Sequence, residues 1–143
     1  MIDISEKKVQ ARTAVAEGTI RLKKETVDAI RASTVKKGDV LEIARTAAIM
    51  ASKSTPQIIP YCHIIPLEKT SVDFDVADSS VKVRCEVGSS YKTGVEMEAL
   101  TCASVALLTV WDMVKYIEKD ETGNYPLTSI ENVHVVSKVK KDA

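Results

Sequence analysis

The amino-acid sequence predicts an α+β fold, a ferredoxin-like sandwich in which an antiparallel sheet carries its helices on one face. Three observations lead to this prediction. The elements follow the order strand, helices, hairpin, helix, strand, which is the split βαβ pattern. Two runs of alternating apolar residues, 72–76 and 81–87, are joined by a short polar link typical of a hairpin. A long and mostly apolar helix pattern then follows over 94–119.

The first half of the chain predicts one strand and two helices. Val, Thr, Ile and Ala dominate residues 9–22 and predict a strand, with a bulge at Gly18. Apolar residues at helical spacing predict a short helix over 24–32, which the Lys- and Gly-containing turn after it terminates. Asp39 is a predicted N-cap, and the small apolar face that follows it indicates a closely packed helix over 40–53.

The second half predicts a hairpin, a long helix and a closing strand. Apolar and polar residues alternate in each predicted strand, because successive side chains of a strand face opposite sides of the sheet. An Ile- and Pro-rich loop precedes the hairpin and is interrupted by polar residues near its centre. In chain order these elements are a loop over 56–66, strands over 72–76 and 81–87 with a turn at 77–80, a helix over 94–119, a loop over 122–126 and a strand over 130–136.

Length and composition narrow the class of protein. A chain of 143 residues predicts one domain, 1–143, whose core needs neither disulfides nor a metal. Twenty basic residues balance twenty acidic ones, which argues against nucleic-acid and membrane-surface partners. The longest apolar stretch, 99–111, is interrupted by hydroxyl side chains and is too short to span a bilayer. Three irregularly spaced cysteines and the lack of a signal-peptide pattern predict reduced thiols in the cytoplasm.

The segment Lys-Thr-Gly-Val-Glu-Met-Glu-Ala-Leu at 92–100 is the most informative motif for function. It places Glu96 and Glu98 two residues apart at the start of an apolar helix. On a helical wheel the two side chains lie about 200° apart, so they cannot both serve the same cap. One carboxylate can complement the positive end of the helix. The other carboxylate is then free for another role, and we expect it to face a polar site.

Cys62 and His63 form a second candidate, since they interrupt an apolar, proline-bracketed loop. A metal site is a poor interpretation, because adjacent side chains seldom chelate one ion together and two His with three scattered Cys make a poor tetrahedral set. A Cys–His nucleophile pair is also a poor interpretation, since neighbours in sequence rarely point at each other. Two readings of His63 stay open: a residue that transfers protons or contacts an anion, and a hydrogen-bonded loop histidine.

Two further clusters carry lysines. Lys37 precedes a predicted helix N-terminus, where free N–H groups favour anions, but a solvated turn is the simpler explanation, because most lysines are exposed. Asp112 and Lys115 form an i, i+3 pair, for which an ordinary ion pair within the helix is the simpler explanation. They follow the apolar run 105–111, however, so the pattern also predicts their burial. A buried lysine has a lowered pKa, which suits proton transfer.

Taken together, these segments resemble the cyclic pyranopterin monophosphate synthase family of the molybdenum-cofactor pathway, which acts after the radical cyclisation of GTP. The resemblance rests on Lys37-Gly38-Asp39, on Ile-Pro-Tyr-Cys-His at 59–63, on Thr-Gly-Val-Glu-Met-Glu-Ala-Leu-Thr at 93–101 and on Trp-Asp-Met-Val-Lys at 111–115. It covers nearly the whole chain, from Ile2 to Lys138. Trp111 and the extra stretch 121–125 depart from the usual family pattern.

The resemblance implies a ferredoxin-like fold and a homo-hexamer, a trimer of dimers, with its sites at subunit interfaces. It also implies that Lys37, Asp112 and Lys115 are catalytic and that the protein holds no cofactor. The sequence shows no metal site, and whether a divalent metal accompanies the triphosphate stays open. The residues that the resemblance implies for substrate binding are Arg12, Lys53, Cys62, His63, Glu96, Met97, Glu98 and Lys138.

The implied reaction converts (8S)-3′,8-cyclo-7,8-dihydroguanosine 5′-triphosphate into cyclic pyranopterin monophosphate and diphosphate by general acid–base catalysis. The partner is therefore a small molecule with a triphosphate, and neither nucleic acid nor a membrane is expected. Scattered basic residues would hold the triphosphate through charge-assisted hydrogen bonds. The alternative is a non-catalytic nucleotide-binding or regulatory module, since ferredoxin-like sheets often serve such roles.

Overall fold

The structure of the chain, a computed structural model, describes residues 1–142. Its elements follow the predicted order of strand, two helices, hairpin, helix and strand. They are β1 (Gln10–Arg21), α1 (Lys24–Ala32), α2 (Val40–Ile58), β2 (Lys69–Val76), β3 (Ser80–Tyr91), α3 (Glu96–Glu118) and β4 (Ser129–Asp142).

The four strands form one sheet in the order β2-β3-β1-β4, and every neighbouring pair is antiparallel. β1 and β2 therefore run in the same direction with β3 between them, which is the split βαβ arrangement. One face of the sheet is apolar and packs on the helices, whereas the other carries ion pairs such as Lys82–Glu17 and Arg84–Glu17. The predicted α+β sandwich is confirmed.

The core between sheet and helices is built from valines and small residues. β3 contributes Val81, Val83 and Val87, and the helices α2 and α3 pack against each other through alanine-rich faces. α3 has 23 residues and, by length and composition alone, would suffice to cross a membrane, contrary to the expectation from the sequence. Half of the most apolar 18-residue segment of this helix is buried in the fold, so its position in the core accounts for its apolar composition.

α2 extends to Ile58, five residues beyond the predicted end at position 53. It includes Pro56, which has no N–H to donate to the carbonyl of Ser52. The hydroxyl of Thr55 donates to that carbonyl instead, at 3.0 Å. A side chain thus replaces the missing backbone hydrogen bond, and the helix completes one more turn before the loop that carries Cys62 and His63.

β4 is longer than predicted and contains the irregularities of the sheet. Its register against β1 shifts at two points, and each shift leaves one extra residue on β4. The first extra residue is Val136, and the second lies beside Asn132, whose φ of 55° is left-handed. The bulge predicted in β1 at Gly18 is therefore carried by the partner strand. Such shifts interrupt the alternation, which is why the pattern ended at position 136.

Gly18 is required for a close approach between layers. A Cβ at this position would lie 2.8 Å from Cδ1 of Leu107 on α3 and 2.9 Å from Cγ2 of Val133 on β4. We expect Gly18→Ala to lower the free energy of unfolding by about 1–3 kcal/mol through overpacking. Denaturant unfolding measures this, with Gly88→Ala as control, since a Cβ at Gly88 meets its neighbours at an ordinary 3.7 Å. Equal losses in both variants would contradict the steric argument.

A buried carboxylate anchors the C-terminal end of α3. Glu118 is fully buried and accepts hydrogen bonds from the Lys23 N–H at 3.0 Å and from the Thr128 hydroxyl at 2.6 Å. The hydroxyl of Thr26 donates to the same group. Because Glu118 satisfies donors at the start of α1 and in the loop before β4, it joins three segments at the end of α3.

Candidate functional site

The polar residues singled out in the sequence occupy two places at opposite ends of α3. The lysine–aspartate cluster, at the C-terminal half of the helix, comprises Lys37, Asp112 and Lys115. The second place is a cavity of about 530 Å³ at the start of the helix, which we call the carboxylate pocket. Its lining includes Glu96, Glu98 and the loop residues Cys62 and His63.

In the lysine–aspartate cluster one carboxylate lies between two ammonium groups. The Nζ of Lys115 is 3.1 Å from Oδ1 of Asp112. The Nζ of Lys37 donates to the backbone carbonyl of Asp112 at 2.8 Å and lies 3.5 Å from its Oδ2. Each carboxylate oxygen therefore faces a different lysine, one from α3 itself and one from the loop between α1 and α2.

The charges of this cluster hold one another in their ionised forms. The hydrogen bond and charge of Lys115, followed by the charge of Lys37, hold the pKa of Asp112 below its usual range. Asp112 in turn raises the pKa of Lys115. The predicted burial of this pair and the predicted lowered pKa of its lysine are wrong for the chain by itself, because the side chains are 61% and 43% exposed. Ion pairing rather than desolvation decides the pKa here.

Beside the cluster lies a shallow cavity of about 330 Å³, lined by Leu108, Trp111, Asp112 and Lys115. Trp111 is held by Tyr125, whose ring meets it edge-on at a centroid distance of 5.1 Å and an interplanar angle of 74°. An apolar wall thus adjoins the charged groups, as in many small-molecule sites.

The carboxylate pocket buries charge. Glu98 is only 2% exposed, and burial followed by the charge of Glu96 raises its pKa. Burial and the same two carboxylates raise the pKa of the Cys62 thiol, which therefore stays protonated and is no activated nucleophile. The Nε2 of His63 lies 2.7 Å from the carbonyl oxygen of Ile2. That oxygen can only accept, so Nε2 is the donor of this hydrogen bond.

Basic side chains from the sheet adjoin this pocket. Lys138 of β4 forms an ion pair of 3.1 Å with Glu96, over the bare backbone of Gly94. Arg12 of β1 is 6% exposed and donates from one terminal nitrogen to the carbonyl of Lys92 at 3.3 Å. Within residues 1–142, the Nε of Arg12 and the Oε2 of Glu96 are buried without a hydrogen-bond partner. Buried polar atoms are normally satisfied, so these two indicate a site for a polar ligand.

Most of the expected site residues reach one place or the other. Glu96 and Glu98 line the same pocket although the wheel separates them, because Glu96 begins the helix and its carboxylate folds back over Gly94. Met97 also lines the pocket. Lys53, by contrast, is exposed on α2 and lines neither cavity. Within residues 1–142, no three Cys, His, Asp or Glu side chains converge as metal ligands.

The two places do not meet within one chain. The part of α3 from Glu96 to Asp112 spans about 24 Å at 1.5 Å per residue.

Sequence reasoning missed Ile2, which orients His63, because a backbone carbonyl leaves no signal in the residue pattern.

We expect Glu98→Gln to stabilise the fold while it impairs the site. The pKa of Glu98 is raised in the folded chain, so stability falls as pH rises through that pKa and the ionised carboxylate is unfavourable at neutral pH. Glutamine removes this cost, and Tm should rise by about 2–4 °C for each kcal/mol recovered. Calorimetry at pH 7 measures the gain, which should vanish below about pH 4, where the carboxylate is protonated. A lower Tm at pH 7 would show that the ionised form is the stabilising one.

Comparisons with known proteins agree on one family. The sequence model of the MoaC family matches residues 1–141. A relative from Thermoplasma acidophilum, named probable cyclic pyranopterin monophosphate synthase, is 55% identical over 140 residues, which cover 98% of each chain. A relative of the same name from Methanococcoides burtonii is 57% identical over 141 residues, which cover 99% of this chain and 89% of its own.

Proposed function

Since this chain belongs to the MoaC family, we propose that it is a cyclic pyranopterin monophosphate synthase of molybdenum-cofactor biosynthesis. It converts (8S)-3′,8-cyclo-7,8-dihydroguanosine 5′-triphosphate into cyclic pyranopterin monophosphate and releases diphosphate. The observation that carries this proposal is the carboxylate of Asp112 between the ammonium groups of Lys37 and Lys115. The triphosphate-bearing substrate is a small molecule, and the enzyme acts in the cytoplasm with neither nucleic acid nor a membrane as partner.

The lysine–aspartate cluster suits proton transfer at several atoms of the substrate. Lys115 is protonated beside Asp112 and can deliver a proton, and a partner surface that excludes water would lower its pKa and let it accept one. Asp112 positions both ammonium groups and stabilises their charge.

The second part of the reaction closes a cyclic phosphate and expels diphosphate. The negative charge that develops on the leaving group needs fixed cations. Arg12 has a buried, unpartnered Nε, and Lys138, on the neighbouring strand β4, pairs with Glu96 at the rim of the carboxylate pocket. We assign both to the phosphates, with Lys53 as a third cation. His63, Cys62 and the residues Glu96, Met97 and Glu98 surround the remainder of the substrate in that pocket.

One substrate cannot bridge two clusters about 24 Å apart on the same helix, so we propose that each site combines the two ends of α3 from different subunits. α3 presents a partly exposed stripe whose residues recur at alternate spacings of four and three, as in helix–helix seams. Its members are Met97, Thr101, Ser104, Leu108, Trp111 and Lys115.

A second copy of the chain fits this stripe in an antiparallel orientation. The midpoint of the stripe falls at position 106, between Ser104 and Leu108, so a two-fold axis there would place the start of one α3 beside the end of the other. The carboxylate pocket of one subunit would then face the lysine–aspartate cluster of its partner. Each dimer would hold two equivalent sites, and the partner would cover the exposed Leu108.

Assembly is the expected consequence. We expect a homo-hexamer, a trimer of such dimers, with a mass of about 94 kDa for six chains of 15.6 kDa each. Sedimentation equilibrium measures this directly. Leu108→Glu should shift the population toward smaller species, because it replaces the most exposed apolar side chain of the stripe with a charge. Met50→Glu, at an exposed apolar residue on α2, is the matched control. A monomer at micromolar concentration would overturn both the dimer and the hexamer.

The activity itself is tested by incubating the pure protein with the cyclised nucleotide and measuring diphosphate release. GTP that has not been cyclised should release no diphosphate. Asp112→Asn should abolish diphosphate release, although it keeps the shape of the side chain. Saturable binding of the cyclised nucleotide without diphosphate release would favour the alternative, a nucleotide-binding module.

A further inference from the structure

Lys37 lies in the loop between α1 and α2, so the position of its ammonium group depends on how that loop is held. The loop leaves α1 through Ser33 in a left-handed conformation and buries Val35. It enters α2 through Gly38, whose φ is 115°, and through Asp39, whose carboxylate accepts from the Glu42 N–H at 3.2 Å. These contacts fix the two ends of the loop. At its centre the Gly38 N–H donates to the carbonyl of Val35 at 3.1 Å, which closes a turn around the exposed Lys36 and Lys37 but does not attach that turn to α3.

Tyr116 of α3 contacts the centre of the loop. Its hydroxyl oxygen accepts a hydrogen bond from the backbone N–H of Lys36 at 2.7 Å. The ammonium group of Lys36 lies 5.3 Å from the centroid of the same ring, within the range of a cation–π contact. Among residues 1–142, the hydrogen bonds from this loop to α3 are this one and those of Lys37 to Asp112.

The positions of Tyr116 and Asp112 on α3 connect the contact at Lys36 with the one at Lys37. Tyr116 is one helical turn after Asp112, so both side chains project from the same side of the helix. Two successive turns of α3 thus receive two successive residues of the loop. Tyr116 is itself 39% exposed and forms no part of the buried core. The hydrogen bond of its hydroxyl and the cation–π contact of its ring are both with Lys36, the residue before Lys37.

We propose that Tyr116 is a positioning residue, which holds the backbone at Lys36 so that the ammonium group of Lys37 stays against Asp112. The inference rests on the proposed function for its catalytic consequence, but the contact itself can be tested without any substrate. A displacement of a reacting group by about 1 Å can cost on the order of 100-fold in rate. One hydrogen bond that holds an exposed loop controls a displacement of this size or less.

The test removes the hydroxyl alone, in Tyr116→Phe. In the substrate-free protein, amide hydrogen exchange at Lys36 should accelerate by about tenfold, because its N–H loses its acceptor. In the enzyme assay kcat should fall by roughly 10- to 100-fold with KM little changed, since the substrate-binding residues remain in place.

Two control variants separate this role from simpler ones. Tyr91→Phe removes the hydroxyl of a tyrosine at the end of β3, shortly before α3 begins, which makes no hydrogen bond within residues 1–142, and it should alter neither readout. Lys36→Met removes the cation above the ring but keeps the backbone N–H, and it should keep the exchange protection. Equal effects of Lys36→Met and Tyr116→Phe would assign the contact to the ammonium group and overturn the proposal.

The two readouts also separate failure of this inference from failure of the proposed function. Unchanged exchange at Lys36 in Tyr116→Phe overturns the inference whether or not the protein is an enzyme. Faster exchange with an unchanged kcat overturns it as well, since the loop then moves without consequence. Absence of diphosphate release by the unmodified protein rejects the proposed function, and faster exchange would still establish that Tyr116 holds the loop.

Discussion

Lys115→Ala is expected to lower kcat by about 10²- to 10⁴-fold, the range typical of a lost general acid or base. Lys115 is paired with Asp112 at 3.1 Å and points to solvent rather than into the core, so its removal leaves no cavity and no buried unpaired charge. Tm should therefore stay nearly unchanged. The substrate should still bind, because the phosphates are assigned to other cations, and the loss should appear in kcat more than in KM.

Related variants make this prediction specific. Lys37→Ala should show a similar loss, and Asp112→Asn should be severe because it removes the charge between the two lysines. Lys119→Ala, at an exposed lysine just after α3, is the matched control and should retain full activity. Steady-state kinetics and a substrate dissociation constant for each variant show whether the loss lies in kcat or in substrate binding. A near-normal kcat in Lys115→Ala would reduce the Asp112–Lys115 pair to an ordinary surface ion pair, which contributes little.

Two inactive variants are expected to restore activity when they are mixed. Lys115→Ala disables the lysine–aspartate cluster of its own chain, and His63→Ala disables the carboxylate pocket of its own chain. If a site combines one cluster from each subunit, a mixed dimer contains one intact site and one doubly damaged site. Random exchange should then recover about a quarter of the unmodified activity, because half of the dimers are mixed and half of their sites are intact.

The measurement is diphosphate release after the two variants are denatured together and refolded, compared with each refolded alone. A mixture of Lys115→Ala with Lys37→Ala is the control, because both changes damage the same cluster. In every mixed dimer each site then lacks one of the two lysines, so no activity should return. Equal recovery in both mixtures, or recovery in neither, would contradict a site shared between subunits in this way.

Local patterns in the sequence were sufficient for the fold class and for the order of elements. The alternation in β3 and the N-cap at Asp39 depend on near neighbours only, and the structure confirms both. The family-specific motif at 93–101 likewise identified the family, which the comparisons confirm. The end of α2 was missed because the hydroxyl of Thr55 compensates for Pro56, and such a compensation is visible only in three dimensions.

The sequence by itself determined the class of fold, the family and the residue types of the two clusters, because these follow from local periodicity and from short motifs. Only the tertiary structure decided that Glu98 is buried while Asp112 and Lys115 are exposed, and that the two clusters lie at opposite ends of α3. An apolar run around a polar residue predicts that some surface will cover the helix, but not whether the same chain or another copy provides it. Burial and pKa depend on that covering surface, so they are properties of the assembled fold rather than of the sequence pattern.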